Sequence, residues 1–106
     1  MPKVLVQASY TSEGSKGLLK DGGSKRRAAV EQMITGLGGK LETFYYAFGD
    51  ADAYIIIDAP DTVTAAAVSL AVNASGAVSL RTTPLRTPEE IDQAAKKSIA
   101  YRAPGQ

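Results

Sequence analysis

The sequence predicts an α+β domain of ferredoxin-like type, β-α-β-β-α-β, with two helices on one face of a four-stranded antiparallel sheet and a further helix at the C-terminus. Three observations lead there. Four short segments carry the apolar content expected of strands, and two longer ones repeat apolar residues at helical spacing. The two middle strands are separated only by a tight Gly-Asp turn, so a hairpin lies between two helical crossovers. The 106 residues suit one domain and suffice to hide roughly 60–70% of the unfolded surface in one core.

The elements follow in order. Lys3 to Tyr10 alternates, with Val4, Val6 and Ala8 on one face and Leu5, Gln7 and Ser9 on the other, as a half-buried strand does. Residues 11–23 are polar and glycine-rich, with a short helical turn expected around 14–20 and a break at Asp21-Gly22-Gly23. Ser24 is the expected N-cap of the next helix. Ala29, Val30, Met33, Ile34 and Leu37 form its apolar stripe, and Gly38-Gly39 its stop. Strands are expected over 40–48 and 52–58. Asp61 caps a helix whose stripe reads Val63, Ala66, Ala67, Leu70, Ala71 and Ala74, ending at Gly76. A fourth strand over 77–83 points Val78 and Leu80 inward and stops at Pro84. Thr87-Pro88-Glu89-Glu90 is a capping box with proline at the first helical position, starting a helix expected to reach about Ser98. The domain then spans 1–98, with 99–106 as a fraying tail.

Composition removes several function classes. The chain has no cysteine and no histidine, hence no disulfide, thiolate nucleophile, Ser-His pair or imidazole-held metal. Acid–base chemistry would fall to Asp, Glu, Lys or Tyr. A net charge of +1 offers no global field for nucleic acid or an anionic membrane. No apolar run approaches a membrane-spanning length, and a cytoplasmic location is the default expectation.

The sheet face away from the helices should be polar in a monomer, yet Tyr54-Ile55-Ile56-Ile57 and Phe44 to Phe48 are apolar on both faces. Covering several hundred Å2 at about 25 cal/mol per Å2 contributes on the order of 10 kcal/mol before association costs. A homo-oligomer is therefore expected; the alternative cover is the terminal helix.

The blocks DGGSKRRAAVEQM, LGGKLETFYYAFGDADAYIIIDAPD and SLAVNASGAVSLRTTPLRTPEEID resemble the GYD-domain family of small bacterial and archaeal proteins, from about Lys3 to Ala95. The naming motif places a Gly, a Tyr and an Asp at the hairpin. Gly49 and Asp52 match it, and Ala51 stands at the tyrosine position. The resemblance implies a ferredoxin-like fold of the dimeric α/β-barrel kind and little about activity.

Four constellations are candidates for chemistry. Ser24, Lys25, Arg26 and Arg27 crowd the start of a helix, where the dipole disfavours cations by about 0.3–1 kcal/mol each. They suit a small anionic ligand or pair with nearby carboxylates. Tyr10, Tyr46, Tyr54, Arg81 and Thr83 can converge on the open sheet face in a suitable register, as a ligand cleft or an interface. Asp50, Asp52, Asp58 and Asp61 lack EF-hand spacing, and turn, ion-pair and capping roles are expected in place of a metal. Asn73-Ala74-Ser75 matches a glycosylation triplet but reads better as a helix end. The expected function is a homo-oligomeric module without cofactor, binding a small ligand or serving assembly. The alternative is a cofactor-independent enzyme, such as an oxygenase or isomerase, of the dimeric α/β-barrel type. Neither a nucleic-acid nor a membrane partner is expected.

Overall fold

The computed structural model describes residues 1–106. In chain order it contains β1 (Lys3–Tyr10), α1 (Ser12–Asp21), α2 (Gly23–Gly36), β2 (Lys40–Tyr46), β3 (Ala53–Asp58), α3 (Thr62–Ala74), β4 (Val78–Leu85) and α4 (Pro88–Ala95). The sheet order is β2-β3-β1-β4, antiparallel throughout. This is the expected ferredoxin-like arrangement, with one more helix than the sequence led us to expect.

Cross-strand register sorts the side chains. Val4 pairs with Ile57 and Pro84, Val6 with Ile55 and Thr82, and Ala8 with Ala53 and Leu80. These positions face the helices and supply most of the core, joined by Leu41, by Ile34 of α2 and by Ala65 of α3. The intervening residues face away: Leu5 lies between Ile56 and Thr83, and Gln7 between Tyr54 and Arg81. Lys3 ties one end of this open face together, its Nζ lying 2.7 Å from Glu42 and 3.0 Å from Asp58.

Several local expectations change. The polar stretch after β1 is a full helix, α1, because the Thr11 hydroxyl accepts the Gly14 N–H and the Thr11 N–H reaches the Ala77 carbonyl at 3.0 Å. Ser24 does not cap α2. Gly22 does so with its backbone at φ 82°, a left-handed conformation that also ends α1. The stripe assigned to α3 is its solvent side: Val63, Ala66, Ala67, Leu70, Ala71 and Ala74 are exposed, while Ala65, Val68, Ser69 and Val72 turn to the sheet. Pro84 lies within β4, which continues to Leu85 on the sheet edge, where a missing N–H is tolerated. Asp61 caps α3 by accepting the Thr64 N–H at 2.6 Å. Asn73 is engaged by its side chain, accepting the Leu80 N–H at 2.7 Å and tying the end of α3 to β4. The capping box on α4 forms with both hydrogen bonds present, but the helix ends at Ala95 rather than Ser98.

Beyond β4 the chain leaves the body. Every residue from Pro88 to Gln106 is exposed, so the terminal helix does not cover the open sheet face. The radius of gyration is 16.8 Å, against about 13 Å for a compact domain of this length.

Two glycines of α1 give a paired prediction. A Cβ on Gly14 would sit 2.0 Å from the Ala77 carbonyl oxygen, whereas one on Gly17 meets nothing within 4 Å. Gly17→Ala should stabilise by up to about 1 kcal/mol and Gly14→Ala should destabilise by about 1–3 kcal/mol, read as opposite shifts of the urea midpoint.

Candidate functional site

Where α2 and α3 cross the sheet they leave a cleft between them. It holds about 60 Å3 and is almost wholly apolar, floored by Val6, Ala8 and Ile55 and walled by Val30 and Met33 on one side and Val68 and Val72 on the other. Its deep hydroxyls, Ser69 and Thr82, bond each other at 2.6 Å and so offer little to a ligand. Tyr10 and Arg26 also line a wider vestibule of about 450 Å3 against α1, where Glu13 and Asp21 stand on the rim. These two residues therefore form the threshold between an apolar interior and a polar approach.

The cations at the start of α2 have separate fates. Lys25 lies 3.7 Å from Asp21 and Arg27 lies 3.3 Å from Glu31, both one helical turn away. The residues four before and four after Arg26 are Gly22 and Val30, and its guanidinium has no carboxylate within salt-bridge distance. It is half-buried at the cleft. Ser24 is exposed and caps nothing. The four residues expected together thus leave one cation, Arg26, facing the cleft.

The tyrosines divide as well. Tyr10 and Tyr46 turn to the helix side, while Tyr54, Arg81 and Thr83 stay on the open face. The β2 register shifts between Leu41 and Thr43, so Phe44 and Tyr46 share the core face with Leu41. The ring of Tyr46 lies 5.0 Å from that of Phe44 and occupies the space where a side chain on Gly23 would begin, 3.0 Å away. Its hydroxyl donates to the Gly23 carbonyl at 3.0 Å. The double glycine is thereby explained: Gly22 supplies a backbone turn and Gly23 makes room for an aromatic ring. Burial, followed by the neighbouring Tyr10, pushes the Tyr46 hydroxyl above its ordinary value, and Arg26 pulls it partway back.

Asp52 stands behind this threshold. Its Oδ2 accepts the Tyr10 N–H at 2.8 Å, its own N–H donates to the Ala8 carbonyl, and its carbonyl accepts the Ala47 N–H, each at 2.8 Å. It pins the hairpin connection to β1 at the residue that carries Tyr10. Ala51 beside it is 1% exposed, packed as a methyl group, and Gly49 lies exposed in the connection. The acidic residues otherwise work apart: Asp58 binds Lys3, Asp61 caps α3, and Asp50 is exposed. No three acidic side chains converge as a metal site. Sequence reading missed that Arg26 and Tyr10 line one cleft mouth; the legible signal was only that Arg26 has no acid at either i±4 position.

The model of the GYD-domain family matches residues 5–95, and the chain belongs to that family. No curated protein and no solved structure matches it.

Two outcomes are expected from this geometry. Asp52→Ala strands the Tyr10 N–H and should cost about 1–3 kcal/mol in urea unfolding, with Asp52→Asn costing less because it keeps an acceptor. Tyr46 is protonated more firmly in the fold, so its contribution is whole below 10.0 and is lost as pH rises through the raised value. Arg26→Gln should move that ionisation higher still, seen in phenolate absorbance as the difference from Tyr46→Phe.

Proposed function

We propose that this GYD-domain protein is a self-associating binding module that takes a small apolar monocarboxylate, its hydrocarbon part in the cleft between α2 and α3 and its carboxylate at Arg26. The observation that carries this reading is a half-buried arginine, with no carboxylate within salt-bridge distance, at the mouth of an apolar cleft. A planar guanidinium suits a carboxylate in particular, because it can donate two parallel hydrogen bonds.

Size and charge narrow the class. About 60 Å3 is well below the roughly 300–1,000 Å3 of drug-sized sites, so the apolar part of the ligand is a short chain. The carboxylates of Glu13 and Asp21 on the vestibule rim favour a single negative charge over a phosphate dianion.

Self-association rests on the open sheet face. Tyr45 is 69% and Tyr54 37% exposed there, beside half-buried Leu5 and Ile56. Tyrosine and arginine, here Arg81, are side chains enriched where proteins meet.

Hexanoate should raise the melting temperature of the wild type, hexanol should do less, and inorganic phosphate nothing. Arg26→Gln should weaken hexanoate by about tenfold to a hundredfold, the loss of one charge-assisted contact, while leaving hexanol unchanged. Native mass spectrometry of the same samples should show an oligomer. Equal shifts from acid and alcohol would remove Arg26 from the site, and no shift from either would remove the cleft.

A further inference from the structure

α3 carries no charged side chain over its 13 residues, although one long side of it meets solvent. Val63 is 77% and Leu70 73% exposed, and Ala66, Ala67, Ala71 and Ala74 lie exposed around them. A surface helix normally sets polar residues there, and one apolar on all sides is normally covered. Along it, between α3 and the edge strand β4, runs a groove of about 490 Å3 bordered by Leu70 and Pro84.

The C-terminal arm has the converse problem. α4 is eight residues long, too short to hold a helix in water by itself even when well capped. It nevertheless buries none of its residues. Ile91, Ile99 and Tyr101 are 55%, 75% and 76% exposed. The arm therefore offers a few large apolar side chains, and α3 offers a charge-free surface made largely of small ones.

The link between body and arm decides which groove is in reach. Only Arg86 and Thr87 separate β4 from α4. The Thr87–Glu90 capping box, the 3.2 Å ion pair of Arg86 with Glu90, and Pro88 stiffen that link. A two-residue link held this way leaves little slack for the arm to fold back on its own α3, and the arm extends a molecule whose principal dimensions are 56 × 33 × 23 Å.

We propose that residues 86–106 of one copy lie along the α3–β4 groove of a second copy, with Ile91, Ile99 and Tyr101 against Leu70 and the alanines of α3. Reciprocal exchange about a two-fold axis covers both grooves and closes the pair. The inference uses neither Arg26 nor the α2 wall of the cleft, although the groove shares Val4, Ala65, Ser69 and Thr82 with the cleft.

The chain lacks cysteine, which makes the test direct. Leu70→Cys and Ile99→Cys variants of the full chain are mixed and oxidised. A disulfide-linked species at twice 11.1 kDa is expected, with little from a control mixture of Thr35→Cys and Ile99→Cys. The double variant Leu70→Cys/Ile99→Cys should also link between chains. An intrachain disulfide in the double variant, showing the arm on its own groove, would overturn the proposal. So would a Leu70→Cys/Ile99→Cys mixture that links no better than the control.

Discussion

Each of the two helices that cross the sheet buries a single side chain in the core, Ile34 from α2 and Ala65 from α3. Much else in the molecule follows from this thin attachment. The core is mostly sheet: Val4, Val6 and Ala8 of β1 packed beside Ile55, Ile57 and Ala53 of β3. Two helices so anchored cannot close over the middle of a four-stranded sheet, and the uncovered part is the apolar cleft. Because α3 meets the sheet through short side chains, its remaining apolar residues are left on the outside. The cleft and the unpartnered helix side thus have one origin.

Features written in local side-chain chemistry were legible in the sequence. The capping box at Thr87 and Glu90 and the cap at Asp61 involve residues three apart and formed as read. Strand content and order were legible because β1 and β3 alternate or run apolar over the right length. What failed was the choice between faces. An alanine-rich helix such as α3 has no polar side, so its periodicity identifies a helix without saying which side meets the sheet. In β2 the irregularity between Leu41 and Thr43 reverses the parity of the strand. Strict alternation from Leu41 would send Phe44 and Tyr46 away from the helices, and a one-residue irregularity brings them back.

The candidate site shows the same division. Lys25 and Arg27 have acidic residues one helical turn away, and their pairing could be read from spacing. So could the isolation of Arg26, between Gly22 and Val30. Its nearness to Tyr10 could not be read, because that depends on how α2 lies across the sheet. The role of Asp52 was also hidden. A motif aspartate at a hairpin looks like a turn residue, yet its carboxylate holds the backbone of Tyr10, 42 positions earlier. A hairpin residue thereby helps to place a side chain at the mouth of a cleft on the helix side.

The two sheet edges are irregular in different ways. On β4 the edge lacks a donor at Pro84, and on β2 it is broken near Glu42 and flanked by the charge of Lys40. Neither edge presents the long regular ladder that recruits another strand. The uncovered apolar surface of this chain therefore lies on its faces and not along an edge that could propagate cross-β pairing. The proline that looks like a strand terminator thus serves as a safeguard against edge-to-edge pairing.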